Sequence, residues 1–232
     1  MLANSAAACA VVLDAPPWRL SGMVYAALLN HRAELDALGA AAYEPPYKAP
    51  PRAPVLEVKP RHTHAADGAV VRVPRGVPAL RIGASLGIVI GAAARRVEAV
   101  RALSHVAGYL LLGDVSVPVP NHYRPGARFK TRDGFCPLGA RVVPAASVAQ
   151  PDALHGRVQV DGRTVHGFDT TGRVRGVAQL VADVSEFMTL QPGDVLALGV
   201  SHGAPLVAAG SDVVLAIDGV GALSLRVEAE AP

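Results

Sequence analysis

A chain of 232 residues with 51% hydrophobic content can bury one large domain core, and a net charge of +3 excludes a strongly basic nucleic-acid surface. The arginines are scattered and no apolar run reaches the roughly eighteen residues of a membrane helix, so neither nucleic acid nor a membrane is expected as a partner. Aromatic residues make up only 4%, so Ala, Val and Leu must build the core, and 23 Gly with 19 Pro favour a turn-rich, mostly β fold.

Residues 1–20 read as an N-terminal extension ahead of a domain over residues 21–232. The apolar stretch Ala6 to Leu13 has no basic residues before it and stops at Asp14-Ala15-Pro16-Pro17, which favours a first strand or ordered tail over a signal peptide. Met23 to Leu29 predicts a strand, and His31 to Ala42 a helical piece with Leu35 and Leu38 on one face. Tyr43 to Pro54 contains five prolines and must be an extended loop. Val55 to Lys59 predicts a strand, Pro60 to Gly68 a turn, Val70 to Val73 a weak strand and Leu80 to Gly91 a buried one. Val97 to Val106 reads as a helix, and Ala107 to Val117 as the central strand.

Further along, Cys136 to Val143 and Gly156 to Val160 read as strands. Asp161-Gly162 marks a hairpin turn. Val177, Leu180, Val181, Val184 and Phe187 recur at helical spacing and predict an amphipathic helix. Val195 to Leu198, Ser211 to Ile217 and Ala222 to Val227 supply the last strands. The two cysteines, Cys9 and Cys136, form neither a metal spacing nor a disulfide framework, which suits a reducing compartment and a cytoplasmic location.

The densest chemistry lies between Ala107 and Gly139. Asp114 follows Leu110-Leu111-Leu112-Gly113, where a carboxylate needs a cation, a metal or N–H donors. Lys130 and Asp133 come next, and the spacing places Asp114 on the floor of a pocket with Lys130 over it. The chain has three lysines against nineteen arginines, and a compact ammonium suits a developing oxyanion in a tight site. Asp114 has two open readings, a structural partner of Lys130 or a substrate-pocket carboxylate. His62 and His64 read as a polar turn rather than a metal pair, and Cys136 as a buried thiol rather than a nucleophile.

Several of these segments carry a resemblance. Gly108-Tyr109 with Asp114-Val115-Ser116, then Lys130, Asp133 and Phe135-Cys136-Pro137-Leu138-Gly139, resemble the signature of the fumarylacetoacetate hydrolase family. Leu29-Asn30-His31-Arg32, Lys59-Pro60-Arg61, Val89-Ile90-Gly91 and Met188-Thr189-Leu190-Gln191-Pro192-Gly193-Asp194 agree with it. Leu35-Asp36, Pro46-Tyr47-Lys48-Ala49-Pro50-Pro51 and Arg132-Asp133-Gly134-Phe135-Cys136-Pro137 resemble the N-terminal half of its decarboxylase/isomerase branch in homoprotocatechuate (4-hydroxyphenylacetate) breakdown. The resemblance implies a mixed β-sandwich roll, with the Tyr43 to Pro54 loop over the site.

The resemblance also implies chemistry. Such enzymes hold Mg2+ or Mn2+ on three carboxylates, a Glu-x-Glu pair and the Asp of D-V-S, which here is Asp114. The Glu-x-Glu positions fall on Gly83 and Ser85, which supply no carboxylate. The catalytic histidine position falls on Glu34, either a base or an exposed helical carboxylate. Lys130 would hold the enolate. Asp133, Thr170 and Ser201, the last in Gly199-Val200-Ser201, fall on substrate-contacting positions, and His166 falls where relatives often carry Gln. Arg32, Arg124 and Arg132 are candidates to grip distal carboxylates.

The implied activity is decarboxylation of 5-oxopent-3-ene-1,2,5-tricarboxylate and isomerisation of 2-hydroxyhepta-2,4-diene-1,7-dioate through a dienolate. The implied partners are a small acidic oxo or enol acid and a homologous subunit in a homo- or hetero-oligomer. Two other readings stay open: a supporting subunit that has lost the metal triad, and a binding module for a small oxo acid.

Overall fold

The computed structural model describes residues 22–119 and 126–231, so the N-terminal extension and Arg124 lie outside the described residues. Strand β1 (Val24–Leu28) leads through Asn30 into a short helix α1 (Arg32–Leu38), which tightens into a 3-10 turn over Gly39–Tyr43. The Pro-rich loop then delivers β2 (Val55–Lys59), followed by β3 (His64–Ala65) and β4 (Ala69–Val73). Two long strands come next, β5 (Leu80–Ile90) and β6 (Val106–Ser116). Between them the predicted helix is only one turn, α2 (Ala99–Ala102), continued by a 3-10 turn at Leu103–His105.

The short helix α3 (Ala127–Lys130) precedes β7 (Cys136–Pro137) and β8 (Val143–Pro144). The sequence suggests one strand over this region, but Pro137 has no N–H for a ladder, and pairing breaks there. Strands β9 (His155–Val160) and β10 (Arg163–Asp169) form the expected hairpin, with Asp161 at φ 50° and Gly162 at φ 78° as its primed turn requires. Helix α4 (Val177–Phe187) has the predicted bounds, yet Phe187 at its end is exposed. The chain closes with β11 (Val195–Ala197), β12 (Leu206–Val207), β13 (Asp212–Ile217) and β14 (Gly221–Ala229).

The strands make a seven-stranded sheet in the order β2-β1-β11-β5-β6-β8, with β12 beside β5, and a five-stranded sheet in the order β10-β9-β13-β14-β4. Strand β6 is therefore next to the edge strand β8 rather than central. The main core fills the space between the sheets and α4: Ile82, Ala84, Leu86 and Ile88 of β5 meet Leu215, Leu223, Leu225, Leu180 and Val184. A smaller cluster of Val24, Ala26, Val89, Leu110, Leu112 and Cys136 covers the other face of the large sheet.

That second face is concave. Strands β2 and β6 lie four steps apart, about 19 Å in a flat sheet at ordinary strand spacing. The Lys59 Nζ of β2 nonetheless lies 2.7 Å from the Asp114 Oδ1 of β6. The sheet must curl until its β2 edge comes round to face β6, and the site occupies the hollow.

Candidate active site

Alternation along the strands sets the floor of this hollow. Gly83 pairs with Asp114 across β5 and β6, so both face the concave side, and Glu57 and Lys59 share one face of β2 because they are two residues apart. Lys130 arrives from α3. The four side chains close a ring of alternating charge. Lys59 Nζ donates to Asp114 Oδ1 at 2.7 Å and also to Glu57 Oε1. Lys130 Nζ donates to Glu57 Oε1 at 2.9 Å and to Asp114 Oδ2 at 3.2 Å.

Burial alone would push the Asp114 carboxyl up, but the Lys130 and Lys59 ammoniums outweigh it and hold the group below the usual carboxylate range. Burial acts against the Lys59 charge as well, and Asp114 and Glu57 reverse that, raising its pKa. Cys136, next to the ring, is pushed up to about 12 by burial, so it stays a neutral thiol.

Above the ring opens a cavity of about 580 Å³ lined by Glu34, Glu57, Arg81, Asp114, Lys130 and Ser201, among others. One wall is the loop from Gly199 to Ser201. Gly199 has φ 101°, and a Cβ there would lie 2.8 Å from the Ala27 carbonyl, so only glycine fits. The buried Arg173 guanidinium clamps this loop, donating to the carbonyls of Gly199 (3.0 Å), Val200 (3.4 Å) and Asp169 (3.1 Å) and to Ser201 Oγ (2.9 Å). Gly199 N in turn donates to Ser85 Oγ at 3.0 Å.

The structure thus gathers Asp114, Lys130, Glu34 and Ser201 around one cavity. It leaves the other described sequence candidates outside it. Arg32 is exposed, and its backbone N–H donates to the Gly172 carbonyl. Arg132 reaches Glu230 Oε1 at 3.4 Å on the outer surface, and Asp133 is exposed beside it. Thr170 is buried in a structural role, accepting from Leu154 N and donating to the Pro151 carbonyl, both at 2.8 Å. His62 and His64 bond separate backbone carbonyls, those of Thr131 and Lys59, as a polar turn would.

Sequence reasoning missed Glu57, Lys59 and Arg173. The scarcity of lysine that singled out Lys130 applied equally to Lys59, since two of the three lysines meet here. The Glu57/Lys59 alternation on a predicted strand was a second signal. Arg173 carried none, being one of nineteen arginines.

The donor set does not fit a divalent cation. A Cβ on Gly83 would lie 2.3 Å from Val200 Cγ1, so a methyl group fills the space a carboxylate there would need. The Ser85 hydroxyl is committed to Gly199 N. Asp114 and Glu57 already hold two ammoniums, and a hard cation at about 2.1 Å from either would sit against like charge in a buried place. Among the described residues no three His, Cys, Asp or Glu side chains are grouped to hold a metal. Asp114 is here the ion-pair partner of Lys59 and Lys130.

A curled sheet over a five-stranded sheet, with an acidic-and-lysine floor, places the chain in a definite class. It belongs to the fumarylacetoacetate hydrolase C-terminal family, whose profile matches residues 23–228. Over 211 residues it is 38% identical to a 4-hydroxyphenylacetate degradation bifunctional isomerase/decarboxylase of Salmonella dublin, covering 91% of this chain and 48% of that relative. The chain thus spans about half the length of that relative. Its fold matches 5-carboxymethyl-2-hydroxymuconate delta-isomerase from Mycobacterium smegmatis with a TM-score of 0.77 and 27% identity, covering 92% of this chain and 81% of that one. It also matches fumarylpyruvate hydrolase from Pseudomonas aeruginosa, determined in complex with Mn2+ and pyruvate, with a TM-score of 0.73, 26% identity and 90% of each chain covered. No described helix is long and apolar enough to cross a membrane.

Proposed function

We propose that this chain is a decarboxylase/isomerase subunit of 4-hydroxyphenylacetate breakdown that acts on a small acidic oxo or enol acid through a dienolate. The observation that carries this reading is the Lys130 ammonium, held over two carboxylates at the cavity floor with part of its surface open to the cavity. In decarboxylation the bond to the departing carboxylate breaks, its electron pair moves through the conjugated chain onto the oxo oxygen, and CO2 leaves. In isomerisation a proton leaves one carbon of the same system and returns at another. Both steps place charge on one oxygen, and a pre-positioned ammonium in a secluded site stabilises it. Arg81 on the same cavity would hold a substrate carboxylate, and Glu34 would carry the proton. Cytoplasmic location and assembly with a second or homologous subunit complete the proposal.

A supporting role beside an intact homologue is the second reading, and the Val200 methyl filling the space above Gly83 favours it. Turnover of the purified chain, followed by loss of dienolate absorbance, tests both. The first reading expects activity of the chain alone that falls about 100-fold or more in Lys130→Ala. Activity only after mixing with a homologue carrying the Glu-x-Glu pair supports the second. No turnover in either case overturns both.

A further inference from the structure

We infer that the ion ring replaces the family's divalent cation: Lys59 and Lys130 together supply its two positive charges, and the site binds a 2-oxo acid or its enolate without metal. For the class of ligand the inference rests on the reading above; for the missing metal it does not.

The two ammoniums divide the work. The Lys59 side chain is fully buried and Lys130 is 13% exposed, so only Lys130 can meet a ligand in the cavity. Lys59 is a positioning residue. It offsets one of the two negative charges of Asp114 and Glu57 from behind, so that with Lys130 the ring is neutral overall and the cavity-side ammonium faces an incoming anion. Without Lys59 the ring would hold two carboxylates and one ammonium, and an anion would meet net negative charge.

The surroundings agree. Each ammonium bridges both carboxylates, and together they occupy both Asp114 oxygens and Glu57 Oε1. The two positions where Glu would complete a metal triad are Gly83, filled over by Val200, and Ser85, bonded to the loop. A metal site would need three changes at once: a carboxylate at 83, a smaller residue at 200 and loss of the Lys59 charge.

The test uses the full chain freed of metal with chelator. Free Mn2+ is read by its electron paramagnetic resonance signal, and binding of oxalate, a planar dianion resembling the enolate of a 2-oxo acid, is read by calorimetry in EDTA. The expected result is no loss of Mn2+ signal with protein at about 100 µM, together with oxalate binding in EDTA. In Lys59→Met, oxalate affinity should fall about tenfold or more with Mn2+ still unbound, while Lys59→Arg, which keeps the charge, should recover part of that affinity, a rescue that loss of packing alone would not show. Lys130→Met, on the cavity side and less buried, should lose oxalate binding in the same way and serves if Lys59→Met does not fold. Mn2+ bound by the unaltered chain, or no oxalate heat in EDTA, would overturn the inference. Neither readout depends on turnover, so a catalytically silent chain that binds oxalate without metal would sink the proposed activity and leave this inference standing.

Discussion

Strands β5 and β6 present two faces of opposite chemistry. Toward the five-stranded sheet they offer Ile82, Ala84, Leu86, Ile88, Tyr109, Leu111 and Val115, all buried and all in the main core. Toward the hollow the same strands offer Gly83, Ser85 and Asp114, and Asp114 joins an ion ring. The difference teaches how a β fold separates stability from chemistry: a single step along the strand moves a residue from one task to the other. Mutations one residue apart should therefore have different signatures.

The largest effect is expected for Asp114→Asn. It leaves Lys59 buried with half its counter-charge and should cost about 3–5 kcal/mol in urea unfolding, with loss of ligand binding as well. A cost under about 1 kcal/mol would mean that the ring is not the tight unit described here. Leu86→Ala, on the opposite face, should lower stability by about 2–5 kcal/mol through the cavity it opens. Its folded fraction should bind oxalate as the unaltered chain does, and a parallel loss of affinity would break the two-face comparison.

Gly83→Ala probes the crowding above Asp114. The new methyl would press on Val200 and should cost about 1–3 kcal/mol. Combining it with Val200→Ala should recover most of that loss, and a double-mutant cycle measures the coupling. If the two changes add independently, Val200 does not fill that space.

The smallest effect is a pH dependence at the loop wall. His31 is pushed below its ordinary pKa by burial and by Arg173, and His166 by burial and by His202. Both rings are thus favoured neutral in the folded chain. Their stabilising contribution is present above the unfolded histidine pKa near 6.5 and is lost as pH falls through the lowered folded values. The urea midpoint should drop between pH 7.5 and 5.5, and His166→Gln should flatten part of that drop.

Much of this architecture could be read from residue patterns, and the failures have physical causes. The strand ending at Asp114, the Asp161-Gly162 hairpin and the α4 stripe follow from local periodicity, which survives folding. Arg132 is a candidate because a guanidinium grips carboxylates, and Thr170 because of its motif position. Neither ground reveals that Arg132 has Glu230 within reach outside, or that Thr170 spends its hydroxyl on the 151–154 turn. Lys59 and Asp114 are 55 residues apart, and their meeting depends on sheet curvature, which no local pattern encodes. The helix expected after Val97 shrank to one turn because tertiary pairing of Ala94 with Leu190 and of Gly91 with His105 claims the chain on either side.

The curl has a consequence for dynamics. Among the described residues β2 is an edge strand, paired only with β1. An edge strand is ordinarily the first part of a sheet to open. Here its two charged side chains reach across the hollow and are anchored on β6 and α3, so the binding site also acts as the clasp of the roll. Amide hydrogens of β1 and β2 should then exchange as slowly as those of the sheet interior while the clasp holds, and an anion that draws Lys130 away from Glu57 would loosen that edge each time it binds.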